Sequence, residues 1–253
     1  MLKTRVIPIL LLKDKGLVKT KQFKEPKYVG DPINAIKIFN DKQVDELVFL
    51  DTTATSEQRE PNYKLIATIA GECFMPLSYG GGIKTVEQIK KILSLGVEKV
   101  ILNSGAFTNP NLVNDASAMF GSSTIVVCID YKKNFWGKSE VYIQAGSKSV
   151  KYSPLEYAKK MEELGAGELI LNSIVSDGMY RGYDIETLKA ITVNVNIPVV
   201  ASGGASKLED FSNAVNIGGA SGVAAGSLFV FHGPHKAVLI NYPEIKILET
   251  ILK

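Results

Sequence analysis

The stretch Met75-Pro76-Leu77-Ser78-Tyr79-Gly80-Gly81-Gly82 reads as a short apolar strand, led by proline and ended by glycines. Almost half a chain later, Ile197-Pro198-Val199-Val200-Ala201-Ser202-Gly203-Gly204 repeats the plan. Each is followed at similar distance by a second strand end of small residues, Ile101-Leu102-Asn103-Ser104 in one case and Ala224-Ala225-Gly226-Ser227 in the other. A strand-to-helix turn without side chains presents free N–H groups at the positive end of a helix dipole, and both favour phosphate. Such a device, present twice on a repeated scaffold, points to a ligand with a phosphate at each end.

The duplication extends outward. Leu47-Val48-Phe49-Leu50-Asp51 parallels Leu169-Ile170-Leu171-Asn172-Ser173, and Leu95-Gly96-Val97-Glu98-Lys99 parallels Ile217-Gly218-Gly219-Ala220-Ser221. Duplication of a half-barrel is the economical account. Strands are expected at 6–11, 47–51, 76–80, 100–103, 125–130, 169–172, 198–202 and 222–225. Between them, stretches such as 85–95 and 154–164 carry apolar residues at helical spacing, with Gly96 and Gly165 as stops. Eight strands alternating with helices predict an α/β fold, a closed parallel (βα)8 TIM barrel. A doubly wound open sheet is the alternative, disfavoured by the two-fold repeat of four units. The 253 residues suit a single domain over 1–253, with half-barrels of roughly 1–122 and 123–253. Two long stretches, 13–30 and 131–151, follow the first and fifth strands and read as active-site loops on the C-terminal face.

Composition narrows the function classes. The chain is 45% apolar and 22% charged, as soluble globular proteins are. The net charge is +3 with scattered lysines, which gives no nucleic-acid footprint. Cys73 and Cys128 lie in apolar stretches without CxxC spacing and read as reduced core thiols, consistent with a cytoplasmic protein. His232 and His235 lack metalloprotease spacing, so no metal is expected, and no spacing implies an organic cofactor. No apolar run approaches ~18 residues and the start lacks a signal-peptide layout, so no membrane partner or export is expected either.

Side chains two apart along a strand share a face. Counting from the charge that opens each strand, the inward sets are Arg5, Ile7, Ile9, Leu11; Glu46, Val48, Leu50; Lys99, Ile101, Asn103; and Glu168, Ile170, Asn172. Any one opening charge is an ordinary surface charge worth little. Four of alternating sign at equivalent heights predict a salt-bridged ring across the N-terminal rim, an openable aperture beneath an apolar interior. At the other end, Asp130 closes the fifth strand, well placed for general acid–base work. An Asp there also serves commonly as a helix cap. Its first-half equivalent is Leu11, which moves no proton. Asp177-Gly178, after strand six, is foremost a turn signal.

Over nearly the full length and in order, these motifs resemble the cyclase subunit of imidazole glycerol phosphate synthase. The residues that carry the resemblance are Arg5-Val6-Ile7-Pro8, Asp45-Glu46-Leu47-Val48-Phe49-Leu50-Asp51, Tyr79-Gly80-Gly81-Gly82-Ile83, Asn103-Ser104, Ile129-Asp130, Glu163-Leu164-Gly165-Ala166-Gly167-Glu168 and Ala201-Ser202-Gly203-Gly204-Ala205. The resemblance implies a glutaminase subunit docked on the barrel bottom, whose ammonia crosses the interior to the top. It implies a gate at the ammonia entrance made by Arg5, Glu46, Lys99 and Glu168. It places one phosphate site at Gly82, Asn103 and Ser104, and the other at Asp177, Gly178, Gly203, Gly204, Ala225, Gly226 and Ser227. Lys19 matches the lysine of the mobile first loop. Ser78 and the apolar interior are expected to pass neutral ammonia, since a low-dielectric lumen disfavours ammonium. Glu98, on the lower rim, is a candidate docking contact for the glutaminase.

Two departures matter. The family's chemistry uses aspartates at the ends of strands one and five; Asp130 is present, but Leu11 stands in the first place. Loss of one acid–base group costs about 10²–10⁴-fold in rate. Gln144 replaces a polar aromatic that the family often carries in the fifth loop. Leu10-Leu11-Leu12-Lys13 and the tail over 229–243 resemble a paralogous branch associated with bacterial surface-polysaccharide gene sets. That implies ammonia supply to a separate sugar amidotransferase. Three readings follow: an ammonia-channelling subunit for sugar amidation, a working cyclase of histidine biosynthesis, and a non-catalytic scaffold for a bisphosphate or a partner. An isomerase of the sister half-barrel family is weaker, because it too needs both aspartates. The missing acid beside an intact gate favours the first.

Overall fold

Apolar runs punctuated by glycine and proline become eight barrel strands: β1 (Arg5–Lys13), β2 (Leu47–Asp51), β3 (Leu77–Gly80), β4 (Lys99–Leu102), β5 (Ile125–Lys133), β6 (Glu168–Ser173), β7 (Val199–Ser202) and β8 (Gly222–Ala225). The structure, a computed structural model, describes residues 4–252. Parallel pairing runs in chain order from β1 to β8 and then returns to β1, with Arg5 opposite Gly222 and Pro8 opposite Ala225. The sheet is therefore closed, a (βα)8 barrel without free parallel edges.

The outer helices are α1 (Pro32–Asp41), α2 (Tyr63–Glu72), α3 (Val86–Ser94), α4 (Asn111–Phe120), α5 (Pro154–Glu163), α6 (Ile185–Thr192), α7 (Leu208–Asn216) and α8 (Ile245–Ile251). Their starts follow capping chemistry: Thr85 with Gln88 and Ser153 with Glu156 form reciprocal capping boxes. Gly96 and Gly165, at φ 98° and 96°, end α3 and α5 as the sequence predicts, because a left-handed residue there is easiest without a Cβ.

Alternation along the strands divides the core in two. Outward side chains such as Leu47, Phe49 and Leu169 pack under the helices, while inward ones such as Ile7, Val48, Ile101, Val126, Ile170 and Val200 fill the barrel. The inward sets read from the sequence are the ones that meet.

The two long stretches are not irregular loops. Gly16–Lys21 and Lys24–Gly30 form a hairpin that extends β1, with Leu11 opposite Val18. Ser139–Ile143 and Lys148–Ser149 likewise extend β5, with Asp130 opposite Tyr142. The first turns at Asp14, Gln22 and Phe23, all at positive φ. These residues lack the Asn-Gly or Asp-Gly cue that marks tight hairpins. Short helices Ser104–Thr108 and Ser227–Val230 follow β4 and β8, another matched pair. The tail returns to the barrel, where Tyr242 Oη donates to the Val6 carbonyl at 3.0 Å. Among the described residues, no helix is long and apolar enough to cross a membrane.

Candidate functional site

At the N-terminal end the four opening charges converge. Arg5 bonds Glu46 through Nη1 at 2.5 Å and also pairs with Glu168. Lys99 Nζ lies 3.1 Å from Glu46 and 2.7 Å from Glu168. Each carboxylate is thus shared by both cations in a ring of alternating sign. The glutamate side chains are almost wholly buried, whereas those of Arg5 and Lys99 are 26% and 21% exposed. Desolvation pulls the Arg5 pKa down most strongly, but the hydrogen bonds and charges of Glu168 and Glu46 outweigh it and the pKa is raised. Ser78 Oγ donates to Glu46 Oε1 at 2.7 Å, so this serine belongs to the ring as well as to the lumen. Glu98 is exposed beside it, its N–H held by the Leu77 carbonyl.

Above the ring the lumen is hydrocarbon, from Ile7 and Ile170 up to Ile9 and Leu50, with the buried Cys128 thiol near its upper end. An isolated ion is costly in such a lining; a neutral molecule is not.

At the C-terminal end the lumen meets a cavity of about 300 Å³ whose wall includes both glycine turns. Gly81 and Gly82 lie at φ 120° and 73°, Gly203 and Gly204 at φ 81° and 121°. A Cβ on Gly81 would strike the Asp51 carbonyl, and one on Gly204 the Gly182 carbonyl, so only glycine fits these turns. Asn103 and Ser104 stand beside the first turn, and Ala225, Gly226 and Ser227 beside the second. Asp177 and Gly178 complete the second side.

Asp130 lines the same cavity and is nearly buried. Asn172 Nδ2 donates to its Oδ1 at 2.8 Å, and Asn103 Nδ2 to its Oδ2 at 3.2 Å. The Cys128 thiol lies at 3.6 Å. Burial raises its pKa to about 7, against the lowering effect of Asn172 and Cys128. The register places Leu11 in the equivalent position: Leu11 faces Leu50 and Val18 as Asp130 faces Asn172 and Tyr142. One side of the mouth therefore carries a hydrogen-bonded carboxyl group and the other carries leucines.

The first hairpin closes over this mouth. Lys19 Nζ donates to the Ile9 carbonyl at 2.6 Å, and burial lowers its pKa to about 8, opposed by the charge of Asp177. Gln22 N–H donates to the Asp177 carbonyl at 2.9 Å. On the second hairpin, Gln144 N–H donates to Ser104 Oγ at 3.0 Å.

Three cavity residues escaped the sequence reading of the site. Asp51 ends β2, where Arg59 grips it with two bonds of 2.8 and 2.7 Å and the Thr53 and Ala54 amides donate to it. Its position at a strand's C-terminal end was the available signal. With its oxygens so engaged, it orders the following turn. In the sequence Asn172 falls on the lumen face without a task and Cys128 reads as a core thiol; both bond Asp130. Asn172 Oδ1 is buried without a partner.

Known proteins resemble this chain over the same extent. The model of the family described as histidine biosynthesis protein matches residues 5–235. A Pseudomonas aeruginosa protein provisionally named imidazole glycerol phosphate synthase subunit hisF2 is 54% identical, over 98% of this chain and 99% of its own. One of Vibrio vulnificus, provisionally named subunit hisF3, is 50% identical over 96% and 94%. The imidazole glycerol phosphate synthase subunit HisF of Petrotoga mobilis is 43% identical over 92% and 91%.

Proposed function

The chain belongs to the histidine biosynthesis protein family, among the HisF-like subunits of imidazole glycerol phosphate synthase, and on that premise we propose that it is the ammonia-receiving barrel of a glutamine amidotransferase complex that has given up the ordinary cyclase reaction. The observation that carries this reading is the combination of an intact ion ring under an apolar lumen with Leu11 in the place of an acid–base carboxylate.

A glutaminase subunit docks on the N-terminal rim, with Glu98 as a contact, and releases ammonia against the ring of Arg5, Glu46, Lys99 and Glu168. Lys99 opens the ring by swinging its flexible stem outward, which leaves the strands in place. The lumen, entered past Ser78, takes ammonia in its neutral form, since hydrocarbon cannot solvate ammonium. Asp130 meets it at the top as a group that holds or accepts a proton near neutrality. The two glycine turns, with Asn103 and Ser104 on one side and Gly178, Gly226 and Ser227 on the other, hold a phosphorylated small molecule under the Lys19 hairpin. The final acceptor is a surface-polysaccharide sugar, amidated by a separate amidotransferase. The provisional names of the relatives at half identity support a branch distinct from the plainly named subunit.

The second reading, an active cyclase of histidine biosynthesis, is favoured by the retention of both glycine turns in one cavity. One assay separates them: purified protein, excess ammonium at alkaline pH, and the open-chain bisphosphate substrate of the histidine-pathway cyclase. We expect no imidazole glycerol phosphate from the natural protein and a gain of about 10²-fold or more in Leu11→Asp. Turnover by the natural protein at an ordinary rate would make it a histidine enzyme that dispenses with one aspartate. A scaffold without a conduit would leave the glutaminase unstimulated on mixing.

A further inference from the structure

The second hairpin has a feature that the ammonia path does not use. Its tip carries Phe135 and Trp136, 94% and 81% exposed. The two rings pack edge to face on each other, centroids 5.5 Å apart, and stand in water. The turn beneath them is well bonded: Asn134 Oδ1 accepts from the Trp136 and Lys138 amides at 2.9 and 3.0 Å, and Asn134 N–H donates to the Lys138 carbonyl at 2.8 Å. The rings are therefore presented by a formed turn. Water-exposed aromatic surface of this kind marks an interaction site.

The charge around the tip is one-sided. Residues 131–151 hold Lys132, Lys133, Lys138, Lys148 and Lys151 against one acid, Glu140, so this hairpin carries more positive charge than the whole chain's net +3. Glu140 is tied up by Ser149 and Asn134. Lys132 folds back over Tyr142 and onto the Gly146 carbonyl. Lys133 and Lys138 stay exposed at the tip and Lys151 beside Glu140, whereas Lys148, also exposed, pairs with Ile143 at the cavity end of the hairpin. Aromatic rings at a tip behind a collar of lysines have the chemistry of the bilayer interface. Trp and Phe settle at headgroup depth, while lysines pair with anionic lipid heads.

We propose that the tip of the second hairpin is a peripheral-membrane anchor that docks the barrel's C-terminal face on an anionic lipid surface. Phe135 and Trp136 enter the headgroup region and the exposed lysines hold the surface. The other end of the same hairpin, Gln144 and Ala145, lines the cavity, so docking turns the cavity mouth towards the bilayer. This goes against the expectation of no membrane partner, which rested on the lack of a long apolar run and of a signal-peptide layout, neither of which bears on a peripheral anchor.

Trp136 is the only tryptophan in the chain, so its fluorescence reports on the tip alone. The full-length protein is titrated with vesicles of phosphatidylcholine mixed with an equal part of phosphatidylglycerol, and with vesicles of phosphatidylcholine alone. A shift of emission to shorter wavelength and co-sedimentation with the anionic vesicles only are expected, both lost at high salt. Lys133→Glu and Lys138→Glu should each weaken the partition by about fivefold or more. Phe135→Ser should abolish the emission shift while thermal unfolding stays unchanged, since the ring is 94% exposed. Trp136 emission unmoved by anionic vesicles overturns the proposal. So does a shift produced only by a protein partner, which would assign the tip to a protein interface. The ammonia path stands or falls separately, by ammonium-dependent turnover and by stimulation of the glutaminase on mixing.

Discussion

At Asp130 the environment sets the chemistry. The carboxyl group is buried among Asn172, Asn103 and Cys128, and its pKa rises from 3.8 to about 7. Between those values the folded chain keeps a proton that the unfolded chain has released. The unfolded state then binds fewer protons, so stability falls as pH rises through this window and is level above it. Asp130→Asn removes the effect. Its stability relative to the natural protein should climb by on the order of 3 kcal/mol between about pH 4 and pH 8. Urea unfolding of both proteins across that range checks it; a gap independent of pH would mean an ordinary carboxylate. Leu11 was legible as an anomaly because strand position alone pairs it with Asp130. The partners of Asp130 were not, since residues on different strands meet only through register.

At the scale of elements, the glycine turns show how backbone geometry rather than side-chain chemistry builds the mouth. Gly204 and Gly121 both sit at positive φ, 121° and 89°. A Cβ on Gly204 would run into the Gly182 carbonyl, whereas one on Gly121 meets nothing within 4 Å. Gly121→Ala should therefore cost only backbone strain, about 1–2 kcal/mol. Gly204→Ala adds a clash with rigid backbone and should cost clearly more, by roughly 2 kcal/mol. Thermal unfolding of the two variants tests the order; equal losses would show that the turn relaxes freely. The hairpins are the elements least visible beforehand. The first turns at Asp14, Gln22 and Phe23 and the second at Gln144 and Ala145, all at positive φ, which such side chains keep where the surrounding packing holds them.

For the whole molecule, the barrel separates its two ends by a hydrocarbon interior, so bottom and top variants should divide by assay. In the Leu11→Asp background, which is expected to turn over, charge reversal at exposed Glu98 (Glu98→Lys) should lower glutamine-dependent turnover several-fold with the glutaminase and leave ammonium-dependent turnover intact. Lys99→Ala, which loosens the ring without touching the cavity, should change only the glutamine-dependent rate as well. Equal loss in both assays for either variant would show damage to the barrel rather than to the entrance.

The sequence by itself determined the eight-strand alternation, the paired glycine turns, the inward and outward faces and the four charges that open strands at the rim. All of these follow from local rules: periodicity, turn chemistry, and the fixed alternation of side chains on a strand. Only the tertiary structure decided how the expected ring of 5, 46, 99 and 168 is wired, with each glutamate shared by both cations and Ser78 drawn into it. It also decided that Lys19 lies against the Ile9 carbonyl and that Asn172 and Asn103 hold Asp130. These contacts depend on the shear and closure of the sheet, which set the height of each strand against strands far away in sequence.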